Sequence, residues 1–174
     1  MSKKSILFLI NPKSGVNNKR SIPKLIESCI DKDKFDYAIA ETKYIAHACE
    51  LTKSAVQQHV DAVVAVGGDG TVNEVARSLV GTDTALGILP CGSGNGFARH
   101  LGIPMDIKKA LEFINRSEIV SVDYGKINGV PFFCTCGMGF DALVSRSFAE
   151  GKRRGFIGYI NKALHDLEIG RAHV

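Results

Sequence analysis

Three short apolar segments of this chain each run directly into a loop rich in glycine, proline or asparagine. The clearest is residues 62–66, which lead into the loop 67–71 (GGDGT) and then into a helix-like pattern over residues 72–80. A glycine turn between a strand and a helix presents free backbone N–H groups and a partial positive charge. Such a turn is suited to binding a phosphate chain.

The other two loops have the same place in the pattern. Residues 6–10 lead into the loop 11–15 (NPKSG), and residues 86–89 lead into the loop 90–96 (PCGSGNG). Any one of these loops could be an ordinary turn, since Gly, Pro, Asn and Ser are common turn residues. Because ligands of parallel sheets collect beyond the carboxyl ends of the strands, three loops in this position predict one shared binding site.

Strand-like and helix-like segments alternate through the first two-thirds of the chain. This alternation predicts an α/β fold, a three-layer parallel-sheet nucleotide-binding domain over residues 1–117. The predicted strands are 5–10, 35–41, 62–66 and 85–89, and the predicted helices are 19–29, 46–58, 71–79, 95–100 and 107–115.

From residue 118 the pattern changes to two extended segments, 119–127 and 130–137, which are joined by Asn128-Gly129. That dipeptide is a strong signal for a β-hairpin. We therefore expect a second, antiparallel β element to start at residue 118. Cys134 and Cys136 would lie on one face of its second strand as small core residues.

Composition is that of a globular protein, with a net charge of +4 that is too small to predict nucleic-acid binding. The apolar runs are much shorter than the roughly 20 residues of a membrane-spanning helix, and no signal-type segment opens the chain, so we expect a cytoplasmic protein. Five cysteines without a Cys-x-x-Cys motif argue against a disulfide framework and a zinc site. A basic cluster at 152–154 favours a solvated loop, with contact to an anionic membrane surface as the alternative.

The three loops together resemble the diacylglycerol kinase catalytic domain family. The resemblance rests on the loop 67–71, with Asn11-Pro12-x-Ser14-Gly15 before it and Pro90-x-Gly92-Ser93-x-Asn95 after it, and it extends over about residues 5–167. The family includes bacterial lipid kinases and sphingosine kinases and is related to NAD kinases.

The resemblance implies transfer of the γ-phosphate of ATP, with Mg²⁺, to a lipid hydroxyl at a membrane surface, a reaction of phospholipid metabolism. Asp69 would be catalytic, taking the proton from the substrate hydroxyl; the alternative is that it only braces the glycine turn or caps the helix. No metal ligand is assigned within this chain. The implied nucleotide-binding residues are Asn11, Pro12, Lys13, Ser14, Gly15, Thr42, Gly67, Gly68, Asp69, Gly70, Thr71, Val72, Asn73 and Ser93.

Several alternatives stay open. An NAD kinase shares the Gly-Gly-Asp-Gly turn, and a non-catalytic nucleotide-binding fragment would share all three loops. Many bacterial family members carry Gly-Thr-x-Asn-Asp where this chain has Gly92-Ser93-Gly94-Asn95-Gly96. Ser93 keeps the hydroxyl but Gly96 lacks the carboxylate, and the Ser-Gly-Asn order is more similar to the sphingosine kinase version. The lipid therefore stays open between diacylglycerol, a sphingoid base and another lipid alcohol. The sequence also leaves the formation of a homodimer undecided.

In the family, such a hairpin begins a β-rich C-terminal domain that helps to hold the lipid, so the resemblance implies that residues 118–167 are the beginning of this lipid-binding domain, incomplete here. Family members continue further and supply acidic catalytic and metal-supporting residues from the rest of the domain. We therefore expect this chain to be the N-terminal part of a C-terminally truncated protein. Residues 168–174 can be back-translated into a common short-read sequencing adapter, which predicts a non-native tail; an ordinary polar tail is the alternative.

Overall fold

A four-stranded parallel sheet in the order β2-β1-β3-β4 forms the centre of the fold, and a separate hairpin pairs β5 with β6. The computed structural model describes residues 2–14 and 21–134. Its elements are β1 (Lys4–Ile10), α1 (Ile22–Cys29), β2 (Phe35–Glu41), α2 (His47–Gln57), β3 (Ala62–Gly67), α3 (Asp69–Leu79), β4 (Ala85–Pro90), α4 (Gly96–His100), α5 (Ile107–Arg116), β5 (Gly125–Ile127) and β6 (Val130–Phe132).

The two central strands, β1 and β3, are continuous apolar runs because helices cover both faces of the sheet. Their register pairs Ile6 with Ala62 and Ile10 with Val66. Side chains alternate between the two faces, as in any strand. Phe8 packs into the core that includes α1 and α5, whereas Leu9 packs into the core that includes α2, α3 and α4. This three-layer arrangement confirms the predicted α/β class.

Backbone hydrogen bonds continue the sheet ladder just past the strand ends. The N–H of Asn11 donates to Val66 O at 3.0 Å, that of Thr42 to Ile10 O at 2.9 Å, and that of Cys91 to Gly67 O at 2.8 Å. These bonds hold the segments that follow β1 and β4 beside the end of β3, and the segment that follows β2 beside the end of β1. The loops predicted to converge therefore start from one edge of the sheet.

The hairpin predicted from Asn128-Gly129 is present. Both residues have positive φ, 49° and 78°, as a type I′ turn requires. The pairing is short, because β5 and β6 have three residues each.

The extended segment predicted over residues 119–127 is wrong in its first part, since only Gly125–Ile127 forms a strand. Ile119, Val120 and Val122 are exposed, and within the described residues no strand pairs with them. β-propensity without a partner strand does not make a strand. Cys134 also differs from its predicted core position: it is exposed, lies beyond β6 and has a φ of 80°.

Several predictions lie outside the described residues. These are Gly15, Cys136, the basic cluster at 152–154, most of the second domain predicted over 118–167, and the tail at 168–174. In the described ranges, none of the helices is both long and apolar enough to cross a membrane.

Candidate functional site

The central loop of the site is the junction of β3 and α3. β3 ends at Gly67 and α3 begins at Asp69, two residues earlier than predicted. Gly68, the N-cap residue, is extended, and no side chain caps the helix. The backbone N–H groups of the first helical turn, which have no partner within a helix, therefore carry the helix's partial positive charge at this edge.

Asn11 connects the first loop to this junction. Its Nδ2 donates to Thr71 Oγ1 at 3.0 Å, and its Oδ1 accepts the backbone N–H of Lys13 at 3.0 Å. The Ser14 hydroxyl donates to the Asn11 carbonyl at 3.1 Å. Thr71 is 4% exposed, and its side chain occupies the space that a Cβ on Gly67 would need. Glycine at 67 thus lets the Thr71 hydroxyl lie under the loop.

Asp69 connects the junction to the third loop. Its Oδ2 accepts the backbone N–H of Asn95 at 2.8 Å, and its Oδ1 accepts that of Gly96 at 2.7 Å. The carboxylate therefore braces a loop other than its own, which the sequence did not indicate. Charge-assisted hydrogen bonds of this kind are about twice as strong as neutral ones.

Asn95 is a site residue that is not among the nucleotide-binding residues implied by the resemblance. It is 8% exposed and has a φ of 54°, a left-handed conformation that asparagine tolerates better than most residues. Its Oδ1 accepts the Gly92 N–H at 2.9 Å, and its Nδ2 donates to the Gly92 carbonyl at 2.8 Å. The Asn-Gly pair at the end of the loop is the sequence signal for this turn.

The central loop and the third loop contact each other through their backbones. A Cβ on Gly92 would lie 2.5 Å from the Gly68 Cα, and a Cβ on Gly94 would lie 2.8 Å from Asp69 Oδ2. Side chains at these positions would push the loops apart. The result is a surface made largely of backbone, in which N–H groups can approach an anion directly.

Thr42 lies two strands away from β3, at the end of β2, and is 9% exposed. The strand spacing places it roughly 10 Å from the central loop. Beyond it, the Tyr44 and His47 rings stack with centroids 4.5 Å apart. The Tyr44 hydroxyl donates to Glu50 at 2.6 Å, and this bond raises the pKa of Tyr44.

The remaining predicted site residues differ in exposure. Pro12, Lys13, Asp69, Gly70 and Ser93 are exposed, Asn11, Ser14, Gly68 and Asn73 are half-buried, and Gly67 and Val72 are buried. Val72 packs in the core beside α2 and β3, so its side chain is turned away from any ligand. Among the residues that the structure describes, no three His, Cys, Asp or Glu side chains are grouped as a metal site.

Several known proteins are similar to this chain in sequence or in fold. A family model described as "Diacylglycerol kinase catalytic domain" matches residues 5–127. A Bacillus subtilis protein named "Diacylglycerol kinase" is 35% identical over 141 residues, which cover 76% of this chain and 45% of that protein. A Klebsiella pneumoniae protein named "Probable lipid kinase YegS-like" is 33% identical over 166 residues, which cover 92% of this chain and 54% of that protein.

The fold is also similar to a solved structure of a diacylglycerol kinase from Bacillus anthracis. The TM-score is 0.64 at 31% sequence identity, over 75% of this chain and 48% of that one. The chain thus spans about half the length of the relatives it matches. The motifs, the sheet and these comparisons agree: the chain belongs to the diacylglycerol kinase catalytic domain family.

Proposed function

We propose that this chain is the nucleotide-binding part of an ATP-dependent lipid kinase, which transfers the γ-phosphate of ATP to a lipid hydroxyl. The observation that carries the proposal is the joining of three loops at the uncapped start of α3. Asn11, in the first loop, is hydrogen-bonded to Thr71 on α3, and Asp69 at the start of α3 is hydrogen-bonded to Gly96 in the third loop. The names of the relatives, diacylglycerol kinase and lipid kinase, support the same activity.

The chemistry of the site fits a triphosphate. Backbone N–H groups of the central loop and of the first turn of α3 would donate to the phosphate oxygens. The Thr71 hydroxyl accepts from Asn11 Nδ2 and keeps its own hydrogen as a donor. Mg²⁺ would arrive with the nucleotide and neutralise part of the phosphate charge. Ser93 and the segment at Thr42 would complete the nucleotide cleft.

Asp69 is our candidate for the group that takes the proton from the lipid hydroxyl. Each of its carboxylate oxygens already accepts one backbone N–H, but each has a second lone pair. The hydrogen bonds from the two backbone N–H groups would hold the carboxylate in one orientation while a lone pair faces the hydroxyl of the lipid. Bracing and proton transfer are compatible roles for this side chain.

The substrate is proposed to be diacylglycerol, from the names of the relatives, with a sphingoid base as the second candidate because of the Ser93-Gly94-Asn95-Gly96 order. NAD is less favoured, because the matched family is that of diacylglycerol kinases. Both lipids are insoluble, so we propose that the protein acts from the cytoplasm at the membrane surface.

The test is transfer of radiolabelled γ-phosphate from ATP to diacylglycerol in phosphatidylglycerol vesicles, with sphingosine and NAD as parallel acceptors. The protein is produced from the whole reading frame in the source DNA, since this chain spans only half of its relatives. Labelled phosphatidic acid would support the proposal. Labelling of NAD instead of either lipid would overturn it, and ATP binding without transfer to any acceptor would indicate a non-catalytic nucleotide-binding module.

A further inference from the structure

Cys134 lies beside the third glycine loop. A Cβ on Gly96 would be 2.9 Å from Cys134 Sγ and 3.8 Å from Asp69 Oδ1. The thiol and the carboxylate thus contact the same residue, Gly96. Cys134 lies beyond residue 127, where the match to the family model ends.

Two further contacts hold the hairpin against this part of the domain. The Phe133 ring lies against the ring of Phe97, which is buried in α4, with centroids 6.0 Å apart. Arg77 Nε, on α3, donates to the carbonyl of Pro131 at 2.8 Å. Cys134 itself has a φ of 80°, a conformation that non-glycine residues keep only where the surrounding structure imposes it. The position of the thiol is therefore set by the hairpin as a whole.

We propose that Cys134 is a positioning residue for the nucleotide site. Gly96 is held between the Cys134 thiol and the Asp69 carboxylate, so its N–H and that of Asn95 stay directed at Asp69. A shift of the hairpin would then move the third loop relative to the start of α3. This inference rests on the proposed function, because it assigns the hairpin an effect on nucleotide affinity.

The first test is a double-mutant cycle read out as Mg-ATP affinity by titration calorimetry. Gly96 does not have the positive φ that would exclude alanine, so Gly96→Ala should conflict mainly with the thiol. We expect Gly96→Ala to weaken binding by about threefold to tenfold. Cys134→Ala alone removes the thiol that packs on Gly96 and should weaken binding about twofold. Added to Gly96→Ala, it should restore most of the loss, because the new methyl group on residue 96 then occupies the place of the sulfur. Adding Cys29→Ala, on α1, should restore nothing.

The second test does not depend on mutation of the glycine loop. Cys134 is exposed, whereas Cys29, Cys49 and Cys91 are partly buried, so iodoacetamide labelling at Cys134 can be followed by mass spectrometry. Saturating Mg-ATP should slow this labelling severalfold. Arg77→Gln removes the hydrogen bond to Pro131 and should speed the labelling of Cys134. It should also weaken Mg-ATP binding, although Arg77 lies eight residues along α3 from Asp69, a distance of about 12 Å.

The outcomes separate this inference from the proposed function. Normal binding of Mg-ATP by the unchanged protein, combined with additive effects at positions 96 and 134, would overturn the inference alone. Labelling of Cys134 that is unaffected by Mg-ATP and by Arg77→Gln would do the same. Failure of the unchanged protein to bind Mg-ATP would overturn both. Restoration by Cys134→Ala, together with nucleotide-dependent labelling, would support it.

Discussion

The backbone N–H of Gly96 donates to Oδ1 of Asp69 at 2.7 Å, although the two residues are 27 positions apart in the sequence. The same carboxylate accepts the N–H of Asn95 through its other oxygen. One side chain at the start of α3 thus fixes the end of the third loop. These two hydrogen bonds make the central loop and the third loop a single structural unit.

Asp69→Asn should weaken Mg-ATP binding as well as turnover. The amide keeps one acceptor oxygen but places an NH₂ group opposite a backbone N–H, which we expect to cost about tenfold in affinity. If Asp69 also takes the substrate proton, kcat at saturating ATP should fall by a further factor of about 10² to 10⁴. Calorimetry and steady-state kinetics of the whole protein separate the two effects. An unchanged kcat would mean that Asp69 only braces the third loop and takes no proton.

Gly92→Ala and Gly70→Ala form a matched pair for the close approach of the loops. A Cβ on Gly92 would meet the Gly68 backbone at 2.5 Å, whereas a Cβ on Gly70 has no atom within 4 Å. We expect Gly92→Ala to lower the free energy of unfolding by about 1–3 kcal/mol. Gly70→Ala, in the first turn of a helix, should leave it unchanged or raise it by up to about 1 kcal/mol. Urea denaturation measures both, and equal effects would mean that the loops are not in contact.

Thr71→Val should disconnect the first loop from α3. The substitution keeps the shape of a side chain that is 4% exposed but removes the acceptor of Asn11 Nδ2. Loss of this bond should lower the free energy of unfolding by about 1–2 kcal/mol. Thr71→Ser keeps the hydroxyl and is the control. Mg-ATP affinity should fall with valine and be largely retained with serine; the reverse order would contradict the assignment of the hydroxyl.

Asp61 should make the stability of the fold depend on acid pH. Hydrogen bonds from the Ser5 backbone N–H and then from its hydroxyl, both 2.7 Å, hold the pKa of Asp61 below its ordinary value of 3.8. A lowered pKa stabilises the folded state above the ordinary pKa, and this contribution is lost as pH falls through the lowered value. Asp61→Asn has no group to titrate here, so its free energy of unfolding should fall less below pH 4 than that of the unchanged protein. Ser5→Ala should have a smaller effect in the same direction, because it removes the hydroxyl bond but keeps the bond from the backbone N–H.

Denaturation of these variants between pH 2 and pH 7 would test this prediction. If all three proteins lost stability over the same pH range and to the same extent, the Ser5–Asp61 contact would have no part in the acid response.

The sheet and the location of the site were predictable because they depend on local pattern. Buried parallel strands are continuous apolar runs, so β1 and β3 were found to within one residue at each end. The loops at Asn11 and Gly67 follow from the same pattern. Asn128-Gly129 was informative because only a few residue types accept the positive φ of a two-residue turn.

Contacts between distant segments were not predictable in the same way. Nothing near Asp69 in the sequence indicates that its partners are the N–H groups of Asn95 and Gly96, because this pairing depends on how β3 and β4 lie side by side. The exposed run at Ile119 has strand-forming residues but lacks a partner strand within the described part of the chain. The predicted segment 130–137 placed Cys134 within a strand, but β6 ends two residues before it, at Phe132.

Isothermal titration calorimetry of Mg-ATP with the 174-residue chain, with NAD and the Thr71→Val variant in parallel, measures whether the three loops bind the phosphates of ATP. We predict saturable one-to-one binding of Mg-ATP, weaker binding by Thr71→Val and no binding of NAD. If Mg-ATP gave no binding heat, or if NAD bound in its place, the assignment of the three loops as an ATP phosphate site would be wrong.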